Sequence, residues 1–119
     1  MAAPPMREPT YFVLAALLRG PLHGYAIMKR AGELSGGRVR LATGTLYTAL
    51  DRLTAEGHIE LVSEERAGGR IRRTYGLTEG GTAAQRAEAL RMAEAARLVT
   101  DSGAGNKAAG TAARKLRTT

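Results

Sequence analysis

The stretch Thr43–Gly57, TGTLYTALDRLTAEG, reads as one short helix with a defined start and stop. Thr43 suits an N-cap, because its hydroxyl can accept from a free backbone N–H two or three residues on. Leu46, Leu50 and Leu53 recur at i, i+4 and i+7 and form one apolar stripe. Gly57 suits the stop, since glycine takes the left-handed conformation at little cost. The opposite face carries Gly44, Thr48, Asp51 and Ala55, with Thr45 and Arg52 toward one edge. A leucine keel under a slim, polar outer face fits a groove of DNA. An ordinary amphipathic surface helix is the plainer reading of this stretch alone.

After Gly57 the apolar period switches from 3.6 to 2. Ile59 and Leu61 alternate with His58, Glu60 and Val62, and Ile71, Arg73 and Tyr75 alternate beyond Gly68-Gly69. Two alternating segments around a Gly-Gly tip predict a β-hairpin. Arg66, Arg70, Arg72 and Arg73 crowd its tip. Ahead of Thr43, RVRL (38–41) reads as a very short strand with Val39 and Leu41 inward and Arg38 and Arg40 outward. Leu22 to Leu34 reads as a helix punctuated by Arg19-Gly20-Pro21 and Ser35-Gly36-Gly37. Tyr25, Ile27, Met28, Ala31 and Leu34 mark its apolar side, and Tyr25 and Tyr75 are expected in the core or an interface. Tyr11 to Leu18, YFVLAALL, reads as a helix buried on more than one face, with Pro9 at its start and Thr10 as its cap.

Residues 82–99 are mostly Ala, Glu, Arg, Leu and Gln, a strongly helical mixture. An Ala-rich helix with little partner in its own chain predicts packing between subunits. The expected organisation is a flexible arm over 1–8, a DNA-binding domain over 9–78, a dimerisation helix over 79–100 and a disordered basic tail over 101–119. Tyr11, Leu14, Leu18, Ala87, Leu90 and Met92 are the expected dimer contacts.

Composition narrows the function. Of 119 residues, 18 are Lys or Arg against 11 acidic, a net charge of +7. That excess favours a polyanionic partner, nucleic acid ahead of an acidic membrane surface. There is no cysteine, hence no disulfide, thiolate nucleophile or Cys-ligated metal. No run is long and apolar enough to span a bilayer, and no signal peptide is recognisable, so the expectation is a cytoplasmic protein without a membrane partner. His23 and His58 lack partners at ligand spacing, so no metal site is expected. The glycines at 32, 36 and 37 lack a following Gly-Lys-Ser/Thr, and nothing resembles a nucleophile beside a base. Neither a cofactor nor catalytic residues are expected.

Helix, helix, short strand, helix, basic hairpin, helix is the order of a winged helix-turn-helix, a mainly α fold with a small β-hairpin plus a C-terminal dimerisation helix. Its third helix lies in the major groove, and its wing follows phosphates or a narrow minor groove. The chain also resembles the PadR-like transcriptional regulators from about Tyr11 to Gly81. GPLHGYAIMKR (20–30), TGTLYTALDRLTAEGHIE (43–60) and RIRRTYGLTEGG (70–81) carry the resemblance. It implies a winged-helix homodimer, usually a repressor, on a pseudo-palindromic operator, joined through its C-terminal helix. It places Thr43, Thr45, Tyr47 and Thr48 at the DNA-proximal start of the recognition helix and Arg70 to Arg73 on the wing. Thr48 stands where the family often has proline, and His58 replaces a commoner apolar residue. The C-terminal part has room for one helix only, as in the smaller subfamily.

The expected DNA contacts are Thr43, Gly44, Thr45, Tyr47, Thr48 and Arg52 on the helix, Arg66, Arg70, Arg72 and Arg73 on the wing, and Arg38 and Arg40 on the backbone. The expected partners are double-stranded DNA, a second copy of the chain and a small-molecule effector of unknown identity. The competing class is a winged helix used for protein–protein contact. The arginine density of the hairpin argues against it, since interface cores are depleted of charge. An enzyme is the weakest of the three readings.

Overall fold

A computed structural model describes the backbone of residues 5–110 and the side chains of residues 5–102. The elements run α1 (Glu8–Ala16), β1 (Leu22–His23), α2 (Gly24–Leu34), α3 (Thr43–Ala55), β2 (Ile59–Ala67), β3 (Arg70–Leu77) and α4 (Glu79–Gly110). The four helices and a three-stranded antiparallel sheet in the order β1-β3-β2 make a winged helix-turn-helix. Contacts divide the chain into two units, residues 1–86 and the remainder of α4 from Ala87 onward.

The first unit is built on the leucine keel. Leu46, Leu50 and Leu53 are 0–1% exposed and pack with Val13, Leu14 and Ile27. Burying each leucine contributes about 1.5–3 kcal/mol relative to leaving it in water. α3 ends as the sequence requires: Gly57 takes φ +80, and the His58 N–H donates to the Leu53 carbonyl. Ile59 and Tyr75, 1% and 4% exposed, bring the base of the sheet into the same core.

Several local expectations give way. The short strand is not RVRL but Leu22–His23, which pairs with Tyr75 and Thr74 along the free side of β3. The first two residues of the expected second helix are therefore strand, and His23 caps α2, its Nδ1 accepting from the Ala26 N–H at 3.4 Å. RVRL is loop instead, because Ser35 Oγ accepts from the Val39 N–H at 2.9 Å and tucks Val39 into the interior. The caps shift by a few residues as well. Ala42, not Thr43, occupies the N-cap of α3, so the Thr43 hydroxyl is one residue too late to serve. Arg7 occupies the N-cap of α1, and Thr10 lies inside its first turn, 8% exposed. Tyr25 is not core: it points out of α2, 68% exposed.

The start of α4 is held by Thr78 and a close backbone approach. Thr78 Oγ1 donates to the Gly57 carbonyl at 2.6 Å and accepts from the Gly81 N–H at 3.0 Å. A Cβ on Gly81 would lie 1.9 Å from the His58 carbonyl oxygen. Two glycines in a first helical turn lower its propensity. The structure shows why one of them is there: nothing larger lets α4 cross the α3–β2 junction.

α4 runs to Gly110, beyond the stop expected near residue 100. The parts of the expected arm and tail that fall on residues 1–4 and 111–119 lie outside the described residues. No helix among the described residues is long and apolar enough to cross a membrane.

Candidate nucleic-acid interface

α3 presents its outer face to solvent because the inner face is fully used. With the three leucines buried, Thr43, Gly44, Thr45, Thr48 and Asp51 are exposed, and Ala49 is half-buried. Gly44, Thr45, Thr48, Ala49 and Arg52 form one wall of an open groove of about 650 Å³; Arg7, Pro9 and Thr10 of the α1 end line the other side. No side chain caps the first turn of α3. Its leading N–H groups carry the positive end of the helix dipole.

Tyr47 stands at the edge of this face, 37% exposed. Its hydroxyl reaches the start of α2, where a Cβ added to Gly24 would come within 2.5 Å of it. The ring therefore packs α3 on α2, and Gly24 makes room for it.

The wing is β2, β3 and the Gly68-Gly69 turn. Both glycines have positive φ, +57 and +77, as the mirror-image two-residue hairpin turn requires. The register pairs Ala67 with Arg70, Arg66 with Ile71, Glu65 with Arg72 and Glu64 with Arg73. A bulge between Leu61 and Ser63 breaks the alternation read from the sequence, so Leu61 and Val62 are both about half exposed. Beyond the bulge the hairpin leaves the core and every side chain from Ser63 to Arg73 is exposed.

The basic residues divide by partner. The side chains of Arg66, Arg70 and Arg72 form no hydrogen bond or ion pair among the described residues. Arg73 donates to Glu64 at 2.7 Å, and that bond and charge raise its pKa further above the ordinary guanidinium value. Arg38 pairs with Glu8 at 3.1 Å. The Arg40 Nε donates to the Gly37 carbonyl at 3.1 Å. Arg52, expected on the DNA-facing edge, is held within the molecule: Nη2 donates to Thr10 Oγ1 at 2.9 Å and Nη1 to Glu56 at 3.3 Å.

The expected dimer contacts also divide. Leu14 is 0% exposed and spent in the core of its own chain, so it has nothing left to offer a second subunit. Val13 and Leu14 lie within α1 on its buried side, and because α1 ends at Ala16, Leu18 does not continue their face and stays outside, 59% exposed. Tyr11 is half-buried and its carbonyl accepts from Gln85 at 2.9 Å. In the second unit Leu90, Leu98 and Val99 are 61–74% exposed, Met92 is 38% exposed and Ala87 is exposed. No group of histidines and carboxylates that could hold a metal occurs among the described residues.

The family model of the transcriptional regulator PadR-like family matches residues 13–87. The chain belongs to this PadR-like family. The match runs from the second half of α1 into α4 and so includes both α3 and the wing. The family is one of transcriptional regulators rather than of enzymes. Among curated relatives, an uncharacterized 37.1 kDa protein in transposon TN4556 of Streptomyces fradiae is 41% identical over 90 residues, 76% of this chain and 24% of its own length. Transcriptional regulator Rv3488 of Mycobacterium tuberculosis is 46% identical over 68 residues, 56% of this chain and 62% of its own. Bacillus subtilis PadR, solved in complex with operator DNA, is similar at a TM-score of 0.59 and 28% identity, over 67% of this chain and 45% of that one. A PadR family regulator from Clostridium difficile shares the fold at a TM-score of 0.66 and 21% identity, over 80% and 97% of the two chains. The PadR-like chain described here thus spans less than two thirds of these curated relatives and of Bacillus subtilis PadR.

Proposed function

We propose that the protein is a sequence-specific DNA-binding repressor that acts as a homodimer on a pseudo-palindromic operator. The observation that carries this reading is a pairing within residues 1–86. α3 is held by three buried leucines and offers a small polar face, and the wing offers three arginines with no partner among the described residues. Thr45 and Thr48 read base edges, by hydroxyl hydrogen bonds or by methyl contact with thymine. Gly44 and Thr43 allow close approach at the helix start, and Tyr47 turns its exposed edge to the backbone. Arg66, Arg70 and Arg72 hold phosphates or the minor groove and supply salt-dependent affinity. Arg73, Arg38 and Arg40 first have to leave their intramolecular acceptors and contribute less. That Bacillus subtilis PadR was solved with operator DNA supports the same use of the fold here.

The exposed apolar residues of α4, with Leu18, support a dimer, and two-fold symmetry then sets half-sites about one helical turn, ~34 Å, apart. Repression follows from occupying the operator. Release by a small-molecule effector completes the reading. The competing role in protein contact is favoured by Leu61, Val62 and Ile71, apolar residues 45–51% exposed on the wing.

The test is selection of bound fragments from a random duplex library, followed by light scattering of the free protein. A two-fold consensus bound by a dimer is expected. Equal binding of all sequences, or a protein monomeric at micromolar concentration, overturns the reading.

A further inference from the structure

Arg52 has the chemistry of a base reader and the bonding of a brace. Its side chain is 48% exposed and lines the same groove as Thr45 and Thr48. The three share one stripe, because i, i+3 and i+7 fall on one side of a helix. Yet its guanidinium donates to Thr10 Oγ1 at 2.9 Å and to Glu56. Thr10 is 8% exposed and 42 residues away in the chain. Among the described residues no other hydrogen bond or ion pair ties α3 to another helix.

We infer that Arg52 is a positioning residue, which sets the rotation of α3 through Thr10 and leaves base reading to Thr45 and Thr48; this rests on the DNA-binding reading above. The physical need is plain. α3 rests on a keel of leucines, and apolar contacts are not directional. Tyr47 steadies one edge of α3 against α2, and a helix on such a keel keeps its roll only if the edge that carries Thr45 and Thr48 is held as well. The outer atoms lie about 5–6 Å from the axis, so a roll of about 10° moves them by about 1 Å. Base contacts tolerate only a few tenths of an ångström before the hydrogen bond is lost. The Arg52–Thr10 bond acts on the stripe that carries Thr45 and Thr48, and it ends on a residue too buried to touch DNA itself. Breaking it from the Thr10 side therefore changes the roll without removing any contact to DNA.

The experiment measures binding-site selection, affinity and the salt dependence of affinity for the full chain and for Arg52→Ala, Arg52→Lys, Thr10→Val and Thr10→Ser, with thermal unfolding alongside. Thr10→Val and Arg52→Ala should both flatten preference at every position of the half-site, with discrimination falling by about ten-fold or more, the cost of roughly one mismatched pair. Their salt slopes should match the parent. Thr10→Ser, which keeps the hydroxyl, should retain the parental preference. Arg52→Lys, which keeps a donor for Thr10 but not the fork that pairs with guanine, should retain most of it. Parental discrimination in Thr10→Val together with loss at a single base pair in Arg52→Ala and Arg52→Lys makes Arg52 a base reader and overturns the inference. So does a salt slope reduced by about one unit per subunit in Arg52→Ala, the mark of one phosphate fewer neutralised in each half-site. If Thr10→Val does not fold, the Arg52→Lys and Arg52→Ala pair decides alone. A parent protein with no sequence preference overturns the DNA reading and this inference together, whereas preserved discrimination in folded Thr10→Val overturns this inference only.

Discussion

α3 and the wing follow one another in the chain, and they are held in opposite ways. α3 is fixed by side chains: Leu46, Leu50 and Leu53 are buried, and Arg52 is bonded to Thr10. The wing is fixed by its backbone ladder, and from Ser63 to Arg73 it buries no side chain at all. A surface placed by core packing and braced by the Arg52–Thr10 bond keeps its atoms within the tolerance that base reading demands. A two-stranded ribbon projecting into solvent does not, but phosphate attraction needs no such tolerance. Changes beneath α3 should therefore alter fold and specificity, whereas changes on the wing should alter affinity and its salt dependence.

The largest effect that would break this division lies under α3. Leu50→Ala removes a fully buried side chain from the centre of the keel. It should cost about 2–5 kcal/mol, the range for such cavities, and abolish specific binding along with the fold. Denaturant unfolding measures it. A destabilisation below about 0.5 kcal/mol, no more than an ordinary surface substitution gives, would mean that the keel does not hold α3.

Next in size is the junction shared by the two regions. Gly81→Ala forces a Cβ against the His58 carbonyl, between the end of α3 and the start of β2. The cost should be about 1–3 kcal/mol, as for other overpacked sites, and should appear as a lower thermal midpoint. Gly80→Ala is the control, because its Cβ would meet the Gly57 carbonyl at 3.3 Å, where a small shift suffices. Equal midpoints for the two variants would show that the close approach is not what selects glycine.

How much of this contrast could be read from the sequence follows from how local each cause is. The leucine keel and the Gly-Gly tip are spacing patterns within a few residues, and both stand as expected, as does the winged helix-turn-helix fold, although its short strand precedes α2 instead of following it. β1 was not legible, because two residues have no period and Leu22–His23 is a strand only by virtue of the free edge of β3. The Arg52–Thr10 bond joins residues 42 apart, and no local pattern announces it. Leu14 and Leu18 are alike as members of one apolar run; where α1 stops decides that one is core and the other surface. The bulge near Val62 shifts which wing residues face outward, and a single inserted residue leaves no mark in composition.

On the wing the expected change is in slope rather than stability. Arg70→Ala with Arg72→Ala should reduce the dependence of log affinity on log salt by about one unit for each phosphate no longer neutralised, twice over in a dimer. All sequences should weaken alike, and the thermal midpoint should stay put. Thr48→Ala is the mirror experiment: preference should relax by about 1–3 kcal/mol at one base position per half-site, with the slope unchanged. A slope change in Thr48→Ala, or a base-specific change in the arginine pair, would erase the distinction between the two surfaces.

The smallest effect tests where the wing stops being a wing. Along β3, Arg73 is exposed and Tyr75, two residues on, is 4% exposed. Burial raises the Tyr75 pKa above its ordinary value, because the phenolate would lose its hydration; the nearby Arg73 cation pulls the other way and is outweighed. The folded state therefore holds the phenolic proton more tightly than the unfolded chain. The stability this contributes is fully present below the ordinary tyrosine pKa of about 10 and is lost as pH rises from there through the raised folded value. Tyr75→Phe has no proton to lose, so its thermal midpoint should fall less steeply than the parent's above about pH 10 and run parallel to it at neutral pH. Tyr25→Phe, which removes a hydroxyl from a ring 68% exposed to solvent, is the control for loss of a phenol as such. If Tyr75→Phe and Tyr25→Phe behave alike, the base of β3 is as open as its tip, and the boundary between core-held and ladder-held surface lies elsewhere on the strand.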